Sequence, residues 1–141
     1  MTNREKAKQM LYAEGYTCVF MGEDKLYTST KRGVAPLLAR YDSGADYTGC
    51  SAADKVIGRG AAFLYVLLGI KDIYVKVISQ PSLELLESHG IAVEYDQLVP
   101  AIRNRDNTGF CPIESAVQGI DNTADALVRI RERTAQLAQG K

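Results

Sequence analysis

Residues 50–69 constrain the fold of this chain most, because they join a polar start to a wholly apolar end. Their apolar positions recur at three- and four-residue steps, at Ala53, Val56, Ile57, Ala61, Leu64 and Leu68. That period predicts one helix with a buried stripe, and the apolar run after Ala61 predicts that the helix lies under a sheet. Cys50, Ser51 and Asp54 would then stand at the helix N-terminus, where the helix dipole favours thiolates, carboxylates and bound anions.

The segments on either side of this predicted helix indicate an α/β fold. In chain order, the pattern predicts a helix over 3–14, a hairpin of 16–21 with 25–29, a helical turn at Pro36, a strand over 72–78, a helix over 82–88, a strand over 91–95, a further edge strand near 98–102 and a final helix from Asn122 to about 137. Later strands joined by crossover helices give a mixed sheet. We therefore expect a single domain of residues 1–141, a three-layer αβα sandwich with a mixed sheet.

The composition narrows the classes of function. Seventeen basic and seventeen acidic residues cancel, and neither sign runs in blocks, so binding to nucleic acid or to an acidic membrane is not expected. The chain does not open with a secretory signal and has no apolar run of spanning length, which predicts a cytoplasmic protein. Its three cysteines are widely separated, which argues against a disulfide framework.

Two motifs resemble those of an uncharacterised bacterial family grouped with the cytidine deaminase-like fold. They are Ala53-Asp-Lys-Val-Ile-Gly-Arg-Gly-Ala-Ala62 and Arg103-Asn-Arg-Asp-Asn-Thr-Gly-Phe-Cys-Pro-Ile-Glu114. The resemblance implies helix, hairpin, helix, strand, helix and strand around a mixed sheet. The zinc deaminases of that fold carry a His or Cys followed by a Glu at the start of the second helix, and Pro-Cys-x-x-Cys at the start of the third.

The sequence departs from the zinc pattern. At the second-helix position it offers Cys50 and Asp54, four residues apart instead of two. The third-helix motif would fall on residues 81–85, with Ser82 and Leu85 where thiolates should stand, and neither is a normal zinc ligand. We therefore predict no metal or other cofactor, and we do not carry deaminase activity over.

The leading functional hypothesis is a site for a small nucleotide-like or ribosyl ligand. It would lie where the predicted central helix begins and meets the loops 40–49 and 103–109. Asp54 would transfer a proton or contact the ligand, or alternatively only cap the helix, while Lys55 and Arg59 would grip a phosphate or form a solvated edge. The other candidate ligand-binding residues are Cys50, Ser82, Arg103, Asn104, Arg105 and Glu114. A homo-oligomer is compatible with the sequence.

Two alternatives remain open at this stage. A thiol enzyme or redox-responsive protein would use Cys111 or Cys50, since each is predicted at a helix N-terminus that lowers a thiol pKa. Cys111 is the better candidate because charged residues surround it in sequence, although the single histidine, His89, is far from both cysteines. The other alternative is a non-catalytic interaction module.

Overall fold

The computed structural model describes residues 2–31, 34–44, 46–102, 113 and 116–139. In chain order the elements are α1 (Asn3–Ala13), β1 (Cys18–Met21), β2 (Leu26–Ser29), α2 (Ala35–Asp42), β3 (Ser51–Ile57), α3 (Arg59–Leu68), β4 (Asp72–Ser79), α4 (Gln80–Ser88), β5 (Ala92–Val99) and α5 (Thr123–Gln139). None of the helices in these ranges is both long enough and apolar enough to cross a bilayer.

The described residues form a five-stranded sheet in the order β2-β1-β3-β4-β5. β1 runs antiparallel to both of its neighbours, whereas β3, β4 and β5 are parallel. The prediction of an α/β fold with a mixed sheet is therefore confirmed. The two crossover helices, α3 and α4, lie on the same face of the sheet and pack together, as two crossovers of the same hand in the same direction require.

The two faces of the sheet carry separate apolar clusters, consistent with a three-layer sandwich. α1 covers one face, where Ala7 and Leu11 pack with Val19, Ala53 and Tyr74. The larger cluster lies on the other face under α3. It includes these side chains from the sheet, α2, α3, α4 and α5: Phe20, Ala52, Ile73, Val75, Leu37, Leu64, Leu86 and Ile130. The largest part of the apolar core is thus on the side of the crossover helices.

The prediction of one helix over 50–69 is wrong, because the segment is a strand followed by a helix. Gly58 separates β3 from α3, with φ −95° and ψ 179°, an extended conformation. Ala52 and Ala53 are both fully buried, one facing α3 and the other facing α1. A strand covered on both faces has no polar alternation, so its apolar positions also fitted a helical period.

Most of the shorter elements agree with the sequence-based expectations. The capping box of Thr2 and Glu5 is present, Pro81 lies in the first turn of α4, and Asn122 caps α5 through its Oδ1. The predicted strand over 91–95 is longer than expected, since β5 continues through Val99 and absorbs part of the separate edge strand predicted there. The turn expected at Pro36 is a full helix.

Gly60 allows the first turn of α3 to pack closely on the segment that precedes α5. A Cβ added to Gly60 would lie 2.4 Å from Cγ2 of Ile113, which is closer than real Cβ contacts come. Ile113 is itself buried. The glycine in this motif therefore serves helix packing.

We expect Gly60→Ala to lower the free energy of unfolding by about 1–3 kcal/mol, because the added methyl overpacks the contact with Ile113. Urea unfolding measures this cost. In an Ile113→Ala background the same change should cost much less, since the clashing methyl is gone. Equal costs in the two backgrounds would contradict the packing role of Gly60.

Candidate functional site

Asp54 lies in the middle of the sheet rather than at a helix N-terminus. It belongs to β3, opposite Cys18 of β1 and Val75 of β4. The prediction that Ser51 and Asp54 cap a helix is therefore wrong, and the Ser51 hydroxyl instead donates a hydrogen bond to Asp72. A carboxyl group on a central strand needs polar partners of its own.

Tyr65 of α3 supplies the main partner of Asp54. Its hydroxyl donates to Oδ2 of Asp54 over 2.6 Å, and the Val56 N–H donates to Oδ1 over 3.2 Å. Long side chains on a helix point back towards its N-terminus, which brings the Tyr65 hydroxyl over β3. The Tyr65 ring is fully buried, with its centroid 5.6 Å from that of Phe20. No lysine or arginine within the described ranges forms an ion pair with Asp54.

Burial sets the protonation of this pair. It raises the pKa of Asp54 to about 7, although the hydrogen bonds from Tyr65 and from the Val56 and Lys55 N–H groups oppose the shift. Burial also raises the pKa of Tyr65 well above its usual range, and the Asp54 charge adds to this. Asp54 is therefore the group of the pair that exchanges a proton near neutral pH, a property typical of general acids and bases.

The neighbouring Cys18 is neutral at the same pH. Burial raises the pKa of its thiol strongly, and the charge of Asp54 raises it further. The thiol is 3% exposed, so it fills space beside the carboxyl instead of acting as a nucleophile.

The other residues predicted near the N-terminus of the central helix do not lie together. Since β3 ends at Ile57, Lys55 and Arg59 do not share a helical face, and that prediction is wrong. The Lys55 backbone N–H donates to Thr17. The Arg59 guanidinium donates to the Val117 carbonyl over 2.8 Å and to Asp121 over 2.9 Å, which ties α3 to the segment before α5.

Ser82 has a structural partner at the start of α4. Its hydroxyl oxygen lies 2.5 Å from that of Ser79, and its N–H donates to the Ser79 hydroxyl over 3.4 Å. Both serines are fully buried. Ser79 caps the helix, and the Ser82 hydroxyl is paired with the Ser79 hydroxyl.

Cys50 lies before β3, at the opposite end of that strand from the loop that leads to α3. The predicted placement of Cys50 at a helix N-terminus is wrong. A strand rises about 3.3 Å per residue, so Cys50 and Asp54 are separated by about 13 Å. Cys50 lines a groove of about 310 Å³ with Lys25 and Lys71, and burial raises the pKa of its thiol despite these two lysines.

The loop 40–49 does not end at the predicted site. The Gly49 N–H donates to the Gly69 carbonyl over 3.0 Å, which places the end of the 40–49 segment at the C-terminus of α3. The loop 103–109 and the candidates Arg103, Asn104, Arg105, Cys111 and Glu114 lie outside the described residues. Of the predicted site residues that the structure describes, only Asp54 stands in an arrangement suited to proton chemistry.

A second polar cluster on the α1 face was missed by the sequence analysis. The fully buried Tyr74 donates to Asp96 Oδ2 over 2.5 Å, and its hydroxyl oxygen lies 2.5 Å from that of Tyr12, which also donates to Asp96. Lys8 bonds Glu94 over 2.9 Å and lies over the Tyr74 ring. A tyrosine inside an apolar strand signals such a cluster, because its buried hydroxyl must find a partner. We interpret the cluster as the polar clamp that holds α1 on the sheet.

Within the described ranges, no three side chains of the His, Cys, Asp and Glu types converge as a metal site would need.

The raised pKa of Asp54 makes a prediction about stability. A group whose pKa is higher in the folded state than its ordinary value of 3.8 stabilises the fold at low pH, and this contribution is lost as the pH rises through about 7. The full shift corresponds to about 4 kcal/mol, and we expect about 1–2 kcal/mol because Asp54 is partly solvent-accessible.

Urea unfolding of the wild type and of Asp54→Asn between about pH 4 and pH 8 measures this loss. The free energy of unfolding of the wild type should fall relative to that of the variant as the pH rises. Asp125→Asn, on the exposed first turn of α5, is the control and should run parallel to the wild type. Parallel curves for Asp54→Asn would show that Asp54 has an ordinary pKa.

The thiols make a second prediction. We expect Cys18 and Cys50 to react with iodoacetamide at least about tenfold more slowly than free cysteine at neutral pH, because burial keeps both protonated and shielded. Peptide mapping after timed quenching gives the rate at each cysteine. Fast labelling of Cys50 would contradict the burial argument and favour the thiol hypothesis.

Comparison with known proteins places the chain in a family. Residues 6–134 match the TM1506 family, a domain of unknown function (DUF1893). No curated protein matches the sequence. A crystal structure of a DUF1893 family protein (TM1506) from Thermotoga maritima superposes with a TM-score of 0.84 at 23% identity, over 96% of this chain and 91% of that one. The family match covers most of the sequence, and the chain therefore belongs to the DUF1893 family.

Proposed function

We propose that the protein has a cytidine deaminase-like fold without the zinc site, and that it binds a small nucleotide-like or ribosyl ligand at the Asp54–Tyr65 pair. The order of elements supports the first half of this proposal. α1, the β1–β2 hairpin, α2, β3, α3 and β4 reproduce the helix, hairpin, helix, strand, helix and strand that the resemblance implies, around a mixed sheet.

The positions of the zinc motifs change with the corrected elements. The second helix is α2, which begins after Val34 with Pro36 in its first turn, and the third is α3, which begins after Gly58 with Arg59. None of these residues is a zinc ligand. The correspondences first drawn with Cys50, and with residues 81–85, fall instead before β3 and in α4. A non-zinc site remains the proposal.

The Asp54–Tyr65 hydrogen bond is the observation that carries the ligand proposal. A partly accessible carboxyl with no described ion pair accepts hydroxyl groups well, as acidic residues do with ribose in dinucleotide sites. Its partner Tyr65 fixes one oxygen and leaves Asp54 near the pKa at which proton transfer is efficient. These properties favour a hydroxyl-bearing ligand over a metal or a nucleic acid.

The thiol alternative has lost part of its basis. Cys50 is buried and precedes a strand instead of beginning a helix, so the predicted helix N-terminus remains a basis of that hypothesis only for Cys111, which lies outside the described residues. The non-catalytic interaction module also remains a prediction.

Ligand-dependent stabilisation tests the proposed site. We expect ribose, ribose 5-phosphate, nucleosides or nucleotides at millimolar concentration to raise the Tm of the wild type by several degrees, because a ligand that binds only the folded state stabilises it. Thermal shift with confirmation by titration calorimetry measures the effect. Asp54→Asn should lose at least about tenfold in affinity, since a charged hydrogen-bond partner is removed.

The control for this experiment is Asp125→Asn, which keeps Asp54 and should bind like the wild type. Tyr65→Phe removes only the fixing hydroxyl and should weaken binding less than Asp54→Asn does. If every ligand of the set leaves the Tm unchanged, or if Asp54→Asn binds as well as the wild type, the Asp54 site is wrong.

A further inference from the structure

The two edges of the sheet differ in length and protection. β2 has four residues, a length typical of a blunted edge. β5 has eight residues, pairs with β4 along one side, and has no pairing partner within the described ranges on its other side. A long edge strand presents a row of backbone N–H and C=O groups that pairs readily with another strand.

The two carboxylates of β5, Glu94 and Asp96, do not protect the open edge of the sheet. Glu94 is bonded by Lys8 over 2.9 Å and approached by Arg4 over 3.4 Å. Asp96 accepts hydrogen bonds from Tyr74 and Tyr12. Both carboxylates are therefore held by α1 and by the face of the sheet beneath it, and no described lysine stands on β5 to block an incoming strand.

Two large apolar side chains of β5 are exposed. Tyr95 is 41% exposed and Leu98 is 38% exposed, although both belong to a strand of the main sheet. Aromatic and β-branched side chains on neighbouring strands stabilise a sheet by cross-strand contact. Such residues on an open edge favour a partner that is itself a strand.

We propose that β5 pairs antiparallel with β5 of a second copy of this chain, so that two five-stranded sheets form one continuous sheet about a two-fold axis. This inference is independent of the ligand site proposed above. A two-fold contact uses the same surface on both copies, which the neutral net charge of the chain permits.

The acidic residues of β5 select one register. If Tyr95 faced Tyr95 of the second copy, Glu94 would face Asp96, and a shift by one residue about the axis would bring the two Asp96 side chains together. Like charges directly opposite each other destabilise a strand pair. Setting Val93 against Val93 opposes no two carboxylates but pairs only residues 92–94 of β5. The register with Gln97 against Gln97 and Tyr95 against Val99 also opposes no two carboxylates, and it pairs residues 95–99. We assign this register to the dimer.

The contact is short, which fixes its expected strength. Residues 95–99 pair in this register before Pro100, which has no N–H, ends the ladder. An interface of this size lies at the small end of specific contacts. We therefore expect a reversible dimer with a Kd in the micromolar range and a measured mass that rises with concentration.

Light scattering coupled to size-exclusion chromatography tests the dimer, with the full chain loaded over about a hundredfold range of concentration. The mass should rise from monomer towards dimer. Tyr95→Lys should raise the Kd at least about tenfold, because it replaces two symmetric aromatic contacts by charges. Val128→Lys makes the same kind of change at an exposed apolar residue of α5, 55% exposed, and should leave the Kd unchanged.

Single cysteines test the register. Under mild oxidation, Gln97→Cys should give at least about fivefold more disulfide-linked dimer than Tyr95→Cys or Asp96→Cys, since only residue 97 faces its own copy. The unmodified chain measures the background from its own cysteines. A monomer at every concentration, or a Kd that Tyr95→Lys leaves unchanged, would overturn the β5 dimer. Stronger cross-linking from Tyr95→Cys or Asp96→Cys would overturn the register.

Discussion

β3 lies between β1 and β4 with helices over both faces, and the rest of the structure adjusts to its burial. Its two central alanines let α1 and α3 approach the sheet from opposite sides, and Gly60 lets the first turn of α3 pack closely against Ile113. A strand in this position tolerates a polar side chain only where a partner is supplied. Asp54 is therefore a costly residue for the fold, and Tyr65 is the partner that makes it tolerable.

The two faces of the sheet each carry a tyrosine bonded to a carboxyl group, but the pKa of the carboxyl shifts in opposite directions. On the α1 face, the Tyr74 hydroxyl donates a hydrogen bond to Asp96, and this bond lowers the pKa of that carboxyl, so the pair stays fixed at neutral pH. On the other face Asp54 is also bonded to a tyrosine, but burial outweighs the hydrogen bond and raises its pKa. The same two chemical groups thus form a fixed pair where the carboxyl is exposed and a titrating pair where it is largely buried. The degree of burial of the carboxyl separates the structural cluster from the candidate functional site.

Sequence reasoning predicted the class of the fold because most elements carry local signals. The capping box of Thr2, the turn after Met21, Pro81 and Asn122 each act within a few residues of their own position. The prediction for β3 was wrong for a physical reason. A strand buried on both faces has no alternation of polar and apolar residues, and only its long-range pairing with β1 and β4 distinguishes it from a helix. This one error misplaced every residue that had been assigned to the N-terminus of the predicted helix.

That displacement also explains which part of the candidate site survived. Asp54 was selected as a carboxylate at the N-terminus of the predicted helix, and that reason was lost with the helix. Asp54 remains a candidate because the structure places it beside Tyr65 and raises its pKa. Lys55 and Arg59 were selected by their spacing on a helix and Cys50 by its place at the predicted helix N-terminus, and all three reasons fail because the segment is a strand followed by a helix. Tyr65 could not be chosen, since a tyrosine in an apolar helix is ordinary until the carboxyl beneath it is known. The sequence thus shows which residue types are present, but the pairing that makes Asp54 a candidate depends on where the strand and the helix lie, because two residues eleven positions apart meet only in the folded chain.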